Sequence, residues 1–189
     1  MARILVLASG SGTLLQALLD SDVGPHVVCV GSDVPDCHAL MRARAAQKAT
    51  FVVPLGDDRQ EWNRELHAAI DEHSPDLIVC AGFMRVLGTE VVDAYAGRIV
   101  NSHPALLPAF PGAHAVRDAL AYGVKWTGCT VHLVDHGVDT GPILGQQPVE
   151  VRAGDDEFTL HERIKEIERV LLVEVVATVI AQPAGARRG

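Results

Sequence analysis

Residues 3–13 read Arg-Ile-Leu-Val-Leu-Ala-Ser-Gly-Ser-Gly-Thr, and this stretch decides the fold. The apolar run 3–8 predicts a strand, and the pattern over 13–20 predicts a helix. The two glycines between them let the backbone turn tightly and approach an anion, and free N–H groups at a helix N-terminus favour phosphate. The stretch therefore predicts a strand, a turn and a helix, in which the turn is either an anion site or an ordinary connection.

The same order of strand and helix repeats along the chain. Further strands are predicted at 26–31, 50–53, 76–81 and 98–102, and further helices at 37–48, 58–73, 89–95, 115–122 and 159–181. Capping boxes are predicted at Asp58 with Glu61 and at Thr159 with Glu162, and a cap is predicted at Thr89. Residues 128–135 and 142–151 predict two late strands joined by a glycine-bearing turn. The predicted fold class is α/β, with a Rossmann-like, mostly parallel twisted sheet, helices on both faces and an antiparallel C-terminal edge.

Length and composition narrow the function classes. A chain of 189 residues with 48% hydrophobic and 21% charged residues predicts one globular domain, over 1–182, and a flexible tail at 183–189. The net charge of −8 argues against a nucleic-acid binder. Because the apolar runs fall far short of the ~20 residues that span a bilayer, no membrane association is expected. The N-terminus lacks a signal-peptide pattern, so the expected location is the cytoplasm.

Cysteine and histidine spacing gives little support for a metal site. The four cysteines, at 29, 37, 80 and 129, include no C-x-x-C pair and are predicted to be buried thiols in a reducing compartment. A zinc hypothesis rests on side chains whose spacing matches no helical His-x-x-x-His motif, namely His103, His114, His132, His136 and Asp139. The sequence therefore favours chemistry without a metal.

Asn101-Ser102-His103-Pro104 lies at the carboxyl end of the fifth predicted strand, followed by a proline-rich loop at 103–113. Side chains at i and i+2 share one face of a strand, so Asn101 and His103 can converge on one atom. An amide donor beside an imidazolium suits an oxyanion, and histidine moves protons at neutral pH. The alternative is a structural histidine beside a proline. A carboxylate from the turn 135–141 would favour the charged imidazole, although that turn can also be an ordinary solvated hairpin.

The glycine turn leaves two kinds of ligand open. A dinucleotide fingerprint requires a third glycine where Leu15 stands, although Asp33 lies where a ribose-binding acid is expected. A single phosphate suits the two-glycine turn better, and the hydroxyls of Ser11 and Thr13 add donors. An NAD-dependent oxidoreductase and a non-catalytic nucleotide-binding module remain the alternatives from other classes.

Five segments, in chain order, resemble the folate-dependent glycinamide ribonucleotide formyltransferases: Ser9-Gly10-Ser11-Gly12-Thr13, Ala81-Gly82-Phe83-Met84-Arg85-Val86-Leu87, Asn101-Ser102-His103-Pro104-Ala105-Leu106-Leu107-Pro108, Phe110-Pro111-Gly112 and Asp139-Thr140-Gly141-Pro142-Ile143. The resemblance covers about residues 3–181 and implies the formyltransferase fold. Related enzymes act on methionyl-tRNA or hydrolyse formyltetrahydrofolate. Those carry an added C-terminal or N-terminal domain for which the chain is expected to have no room.

The resemblance implies transfer of the formyl group of 10-formyltetrahydrofolate, as co-substrate and without a metal, to the amine of glycinamide ribonucleotide in purine biosynthesis. Another formyltetrahydrofolate-dependent transferase or hydrolase is the alternative within the superfamily. By position, the implied catalytic residues are Asn101, His103 and Asp139. The implied ribonucleotide contacts are Ser11, Gly12, Thr13, Leu14 and Glu168. The implied folate contacts are Arg59, Met84, Arg85, Val86, Leu87, Asn101, Asp135 and Asp139.

Two positions depart from the family pattern. Leu14 stands where the family often has asparagine, and Ala105 stands where serine is common. Leu14 still offers a backbone N–H, so the resemblance implies a phosphate site with one side-chain contact fewer. The implied partners are small-molecule substrates, with no nucleic acid and no membrane, and a homodimer is compatible with the pattern.

Overall fold

The structure, a computed structural model, describes residues 1–182. Its strands are β1 (Ile4–Leu7), β2 (Val27–Ser32), β3 (Ala49–Val52), β4 (Leu77–Cys80), β5 (Ile99–His103), β6 (Trp126–Leu133) and β7 (Ile143–Glu150). Its helices are α1 (Thr13–Leu19), α2 (His38–Ala45), α3 (Arg59–Asp71), α4 (Thr89–Ala94), α5 (Ala115–Tyr122) and α6 (Glu157–Ala181). Every predicted strand and helix is present. The predicted tail at 183–189 lies outside the described residues.

The strands form a seven-stranded sheet in the order β3-β2-β1-β4-β5-β6-β7. The first five strands of the chain pair in parallel, whereas β6 is antiparallel to both β5 and β7. The predicted α/β class with an antiparallel C-terminal edge is therefore confirmed. The order reverses between β1 and β4, and ligands in open α/β sheets bind in the crevice outside the carboxyl ends of the strands at such a point.

Two apolar cores, one on each face of the sheet, explain why the central strands are apolar throughout. In β1, Ile4 and Val6 face the core beneath α1, α2 and α6, while Leu5 and Leu7 face the core beneath α3 and α4. Trp62 of α3 is among the largest fully buried side chains, and its indole N–H donates to the Val53 carbonyl at 2.9 Å. A parallel sheet covered on both faces requires such runs.

Helix starts were predicted less accurately than helix existence. Asp58 caps α3 as expected, accepting from the N–H groups of Gln60 and Glu61, but the predicted box is incomplete because the Glu61 carboxylate pairs with Arg64 instead. The predicted cap at Thr89 is wrong, because Gly88 is the N-cap of α4 and makes no side-chain bond there. The predicted box of Thr159 with Glu162 is also wrong. Asp156 is the N-cap of α6, and its own N–H donates to the hydroxyl of Thr159 at the third helical position. Thr159 thereby satisfies the backbone N–H that a glutamate at this position usually satisfies.

All four cysteines are free and buried, as predicted. Burial raises the pKa of the Cys29 thiol to about 11 and that of the Cys80 and Cys129 thiols to about 12. Thiolate is the reactive form, so these thiols are chemically quiet. Within residues 1–182, none of the helices combines the length and apolarity that crossing a membrane requires.

Candidate active site

A cavity of about 490 Å³ opens at the carboxyl ends of the central strands, where the strand order reverses. Six parts of the chain line it. They are the loop after β1, the segment after β4, the end of β5, the end of the loop before α5, the end of β6 with the β6–β7 turn, and one side of α6. The resemblance pointed to the same places, so the predicted site residues other than Arg59 all line this cavity.

Asn101, His103 and Asp139 come together on one side of the cavity. The carboxylate of Asp139 lies 3.3 Å from His103 Nδ1 and 3.5 Å from Asn101 Nδ2, and it accepts the N–H of Gly112 at 2.8 Å. The side chains of His103 and Asp139 are 5% and 12% exposed. Side chains along β5 alternate between the two faces of the sheet, so the Asn101 amide and the His103 imidazole lie on the same face and both contact the Asp139 carboxylate.

The ring of His103 is held at both nitrogens. Nε2 lies 2.8 Å from the carbonyl oxygen of Phe110, which can only accept, so Nε2 carries a proton. Nδ1 faces the Asp139 carboxylate, which also accepts when ionised. An imidazole between two oxygen acceptors suits the doubly protonated, charged form. Because His103 also lines the cavity, it is a held, cavity-facing group rather than a histidine that only packs beside a proline.

Asp139 remains a carboxylate in this setting. Burial is the largest influence on the Asp139 pKa and raises it, but hydrogen bonds from His132 and the Gly112 N–H, together with the proximity of His103, outweigh burial. The pKa accordingly lies below its usual value of 3.8. A charge that persists to acid pH keeps its partner imidazole oriented throughout the neutral range.

His132 is a site residue that sequence analysis considered only as a metal ligand. It lies opposite Asn101 in the antiparallel pairing of β5 with β6, and its Nε2 is 3.2 Å from Asn101 Nδ2 and 3.5 Å from Asp139. Its Nδ1 lies 2.8 Å from the Leu133 carbonyl, which fixes the ring. His132 Nε2 thus lies beside both the Asn101 amide and the Asp139 carboxylate. Over residues 1–182, no group of three or more His, Cys, Asp or Glu side chains is arranged to hold a metal ion.

Residues 10–14, which comprise the turn after β1 and the first two residues of α1, form the opposite side of the cavity and are called the loop 10–14. The backbone conformation of this loop determines its shape. Gly12 has φ +70° and is the N-cap of α1. A Cβ atom there would lie 2.6 Å from the Cα of Ala39 on α2, so only glycine fits. Helix α2 also holds the loop by hydrogen bonds, because the Ala39 N–H donates to Gly10 and Arg42 Nε donates to the Ser11 carbonyl, at 3.0 and 2.9 Å.

Helix α6 supplies two charged groups to the cavity. Glu168 is buried and accepts a 2.6 Å hydrogen bond from Ser102, which points to the face of β5 opposite Asn101 and His103. Burial raises the pKa of Glu168, and the Ser102 hydrogen bond opposes that rise without cancelling it. Lys165, one turn earlier, is a cavity cation that sequence analysis missed. Its spacing of three residues from Glu168 on a predicted helix was the available signal.

The segment 82–87 presents Met84 and Val86 to the cavity with 69% and 60% exposure. Arg59 lies beside this segment, outside the cavity lining. Its guanidinium donates to the Val86 carbonyl and stacks over the Trp62 ring at 4.4 Å. Arg59 therefore supports this segment from behind, a position that β4 and α3 create together and that the sequence alone does not reveal.

Two further residues have their side chains engaged by the protein. Asp33, the expected ribose acid of a dinucleotide site, has a side chain that is 0% exposed and is bonded to Ser9 and Arg85, which contradicts the NAD-binding alternative. Asp135 accepts from the Thr140 hydroxyl at 2.7 Å and the Gly137 N–H at 3.0 Å. The Thr140 bond is the main cause of the lowered pKa of Asp135. Asp135 thereby orders the turn that carries Asp139.

A family model described as formyl transferase matches residues 2–176. The chain belongs to the formyl transferase family. Over 181 residues it is 58% identical to phosphoribosylglycinamide formyltransferase of Mycobacterium tuberculosis, which covers 93% of this chain and 84% of the relative. The crystal structure of phosphoribosylglycinamide formyltransferase from Streptococcus pneumoniae is 38% identical with a TM-score of 0.88, over 95% of this chain and 99% of that chain.

One structural neighbour is named for a different activity. A crystal structure of a formyltetrahydrofolate deformylase from Pseudomonas syringae is 26% identical with a TM-score of 0.86. The match covers 93% of this chain and 60% of that chain. Membership of the formyl transferase family and its fold, both expected from the sequence, are thus confirmed.

Proposed function

We propose that this formyl transferase moves the formyl group of 10-formyltetrahydrofolate to the amine of glycinamide ribonucleotide, a step of purine biosynthesis. The observation that carries the proposal is the convergence of Asn101, His103 and Asp139 at one side of the cavity, within 3.5 Å. The 58% identity to a phosphoribosylglycinamide formyltransferase supports the choice of substrate.

In the proposed reaction the substrate amine attacks the formyl carbon and forms a tetrahedral oxyanion. The amide of Asn101 and the imidazolium of His103 stabilise that oxyanion, and each such donor contributes on the order of 3 kcal/mol. The His103 Nε2–H is held meanwhile by the neutral Phe110 carbonyl, and a charged oxyanion outcompetes a neutral acceptor.

Collapse of the oxyanion breaks the bond between the formyl carbon and the folate nitrogen. The proton lost by the attacking amine reaches that nitrogen, so that tetrahydrofolate and formylated product leave with balanced charge. His103 is placed to relay this proton, and Asp139 orients the ring for it. These groups supply the charge stabilisation and proton transfer that the step needs, and we propose that it proceeds without a metal.

The ribonucleotide is proposed to bind between the loop 10–14 and α6. The phosphate is placed at the backbone N–H groups of Ser11, Gly12, Thr13 and Leu14, with the charge of Lys165 nearby. The buried carboxylate of Glu168 is proposed to accept from the ribose hydroxyls. Because the loop acts through its main chain, Leu14 in place of the family's common asparagine is compatible with this site.

The folate is proposed to bind on the other side of the cavity. Its contacts are Met84, Arg85, Val86, Leu87, Asn101, Asp135 and Asp139, supported from behind by Arg59. The two exposed apolar side chains of this segment suit an aromatic ring system, because ligand sites combine apolar walls with a few placed polar groups. Holding both substrates side by side contributes further through orientation.

We further propose that residues 1–182 form the formyl transferase domain. The enzyme is proposed to work in the cytoplasm on small molecules rather than on nucleic acid or membranes. It is also proposed to assemble as a homodimer. Sedimentation analysis of the purified chain tests the last point. A monomer at micromolar concentration would contradict it.

The deciding experiment incubates purified protein with 10-formyltetrahydrofolate and glycinamide ribonucleotide and follows both tetrahydrofolate and formylated product. Equal yields of the two support transfer. Release of free formate without ribonucleotide would instead favour the hydrolase alternative.

The same assay in the presence of EDTA should show full activity. Activity that is lost in EDTA and restored by zinc or magnesium would contradict the metal-free mechanism. In a thermal shift series, NAD should leave the melting temperature unchanged.

A further inference from the structure

Asp33 stands where dinucleotide-binding folds keep a ribose acid, yet it serves a different purpose here. It directly follows β2 at the carboxyl edge of the sheet, and its side chain is 0% exposed. Oδ1 accepts the hydroxyl of Ser9 at 2.5 Å, and Oδ2 accepts Nε of Arg85 at 2.7 Å. Both partners belong to loops that border the cavity, one after β1 and one after β4. The carboxylate therefore acts on the protein rather than on a ligand.

Asp33 reaches the segment 82–87 at two points. The first is the side chain of Arg85, which is 38% exposed while its Nε is held. The second runs through Ser9, whose oxygen accepts the N–H of Met84 at 2.9 Å. A hydroxyl has one proton to donate, so Asp33, by taking that proton, leaves the lone pairs of Ser9 free to hold the Met84 amide. The Ser9 N–H donates in addition to the Gly82 carbonyl at 3.0 Å.

Phe83 and Leu87 anchor the segment in the core beneath α3 and α4, but the residues between them depend on polar contacts for their position. The segment belongs to neither helix nor strand, and the side chains of Met84 and Val86 point outward from it with most of their surface exposed. Arg59 holds the Val86 carbonyl from the α3 side, and Asp33 holds the other half from the β2 side. A surface already fixed in its binding shape loses less conformational entropy when a ligand arrives.

We propose that Asp33 is a positioning residue for the folate: it touches neither substrate but fixes the segment 82–87, through Arg85 and Ser9, in the shape that binds the co-substrate. The inference rests on the proposed function, since it assigns that segment to the folate. It predicts that loss of the Asp33 carboxylate weakens folate binding selectively. The ribonucleotide site, bounded by the loop 10–14 and α6, keeps its own support from α2.

The test is Asp33→Asn, which keeps the size of the side chain but replaces one acceptor oxygen by a donor NH2. In either orientation of the amide the ion pair with Arg85 is lost, because an amide oxygen there leaves Arg85 only a neutral hydrogen bond and an amide nitrogen leaves it none. The KM for 10-formyltetrahydrofolate and the calorimetric Kd for tetrahydrofolate should both rise about tenfold, while kcat at saturation and the KM for the ribonucleotide stay within about twofold of wild type. Ser9→Ala, which removes only the second anchor, should raise the folate KM by about threefold.

Asp36→Asn is the matched control. Asp36 is an exposed carboxylate three residues later, and its φ of +55° suits asparagine, so this variant makes the same change in net charge without touching the segment. All kinetic constants of this control should stay within about twofold of wild type.

Three results would overturn the positioning role. They are an unchanged folate KM in Asp33→Asn, an equal rise in both substrate KM values, and a loss confined to kcat or melting temperature, as expected of a carboxylate that only stabilises the fold. Failure of the proposed function is distinguishable, because the wild-type protein would then neither transfer the formyl group to the ribonucleotide nor bind tetrahydrofolate. A wild-type enzyme that does both, beside an Asp33→Asn variant that matches it, would refute only the role of Asp33.

Discussion

The two sides of the cavity are built from different chemical groups. The loop 10–14 presents mainly backbone groups to the cavity. Its conformation depends on Gly12, and hydrogen bonds from α2 hold it in place. At the proposed catalytic side, the side chains of Asn101, His103 and Asp139 converge within 3.5 Å. The first side should tolerate changes of side chain but no change of backbone, and the second should show the reverse.

The largest effect is expected for His103→Ala, at the side-chain end of this comparison. Removing a charged donor that also carries protons should lower kcat by about 10³-fold or more. The variant should stay folded by circular dichroism with a melting temperature a few degrees lower, because His103 is buried and hydrogen-bonded at both nitrogens. Turnover near wild type in a folded variant would contradict its assignment to catalysis.

Asp139→Asn should lower kcat by about 10²-fold, with smaller changes in both KM values. The amide is nearly the same size but cannot supply the negative charge that the lowered pKa of Asp139 maintains. The measurement is steady-state kinetics across the neutral pH range. If the pH profile and kcat of Asp139→Asn both match wild type, the carboxylate has no part in orienting His103.

Glu168→Gln lies between the two sides and should affect binding and stability in opposite directions. Loss of a charged acceptor should raise the ribonucleotide KM by about tenfold while kcat changes less. A folded-state pKa raised by burial gives stability at acid pH that is lost as pH rises through that pKa, and glutamine avoids the loss. The gain in melting temperature over wild type should therefore be larger at about pH 8 than at about pH 5. An equal gain at both values would contradict a raised pKa.

Gly12→Ala tests the backbone end. The added Cβ lies 2.6 Å from Ala39 Cα in a left-handed conformation, so a loss of about 2–4 kcal/mol of unfolding free energy is expected. That corresponds to a fall of about 5–10 °C in melting temperature. Gly10→Ala is the control, because no atom lies within 4 Å of its added Cβ. Equal melting temperatures for the two variants would show that α2 does not constrain the loop.

The smallest effect is expected for Thr13→Ala. If the phosphate binds mainly to backbone N–H groups, loss of one hydroxyl should raise the ribonucleotide KM only about threefold and leave kcat unchanged. A rise of two orders of magnitude would mean that this side of the cavity also depends on side chains, which would remove the contrast.

The sheet and most of the cavity could be predicted from local signals. The run 76–81 is apolar at every position but its first, which identified a strand covered on both faces. The i and i+2 spacing of Asn101 and His103 predicted their convergence because a strand has a period of two. The carboxyl edge of a parallel sheet collects whatever follows its strands, which gathered the loop 10–14, the segment 82–87 and β5.

The remaining features of the site could not be predicted, because they arise from contacts between residues that are distant in sequence. His132 joins the site only through its register opposite Asn101, and neither strand encodes that pairing by itself. The support given by Arg59 to Val86, and by Asp33 to Arg85, crosses 27 and 52 positions of the chain. The wrong start of α6 has a local cause, since Asp156 and Thr159 both favour an N-cap and only the backbone decides which one holds that position.

The antiparallel pairing of β5 with β6 limits how the length of this chain can vary. Every pleated strand presents alternate residues to opposite faces, so inserting or deleting a single residue within β5 would exchange Ser102 with its neighbours and turn Asn101 or His103 toward α6. Homologous chains that keep the activity should therefore show uninterrupted alignment across both strands, with insertions and deletions confined to other parts of the chain. The absence of insertions and deletions, rather than residue identity, would then identify the strands that hold the proposed catalytic residues.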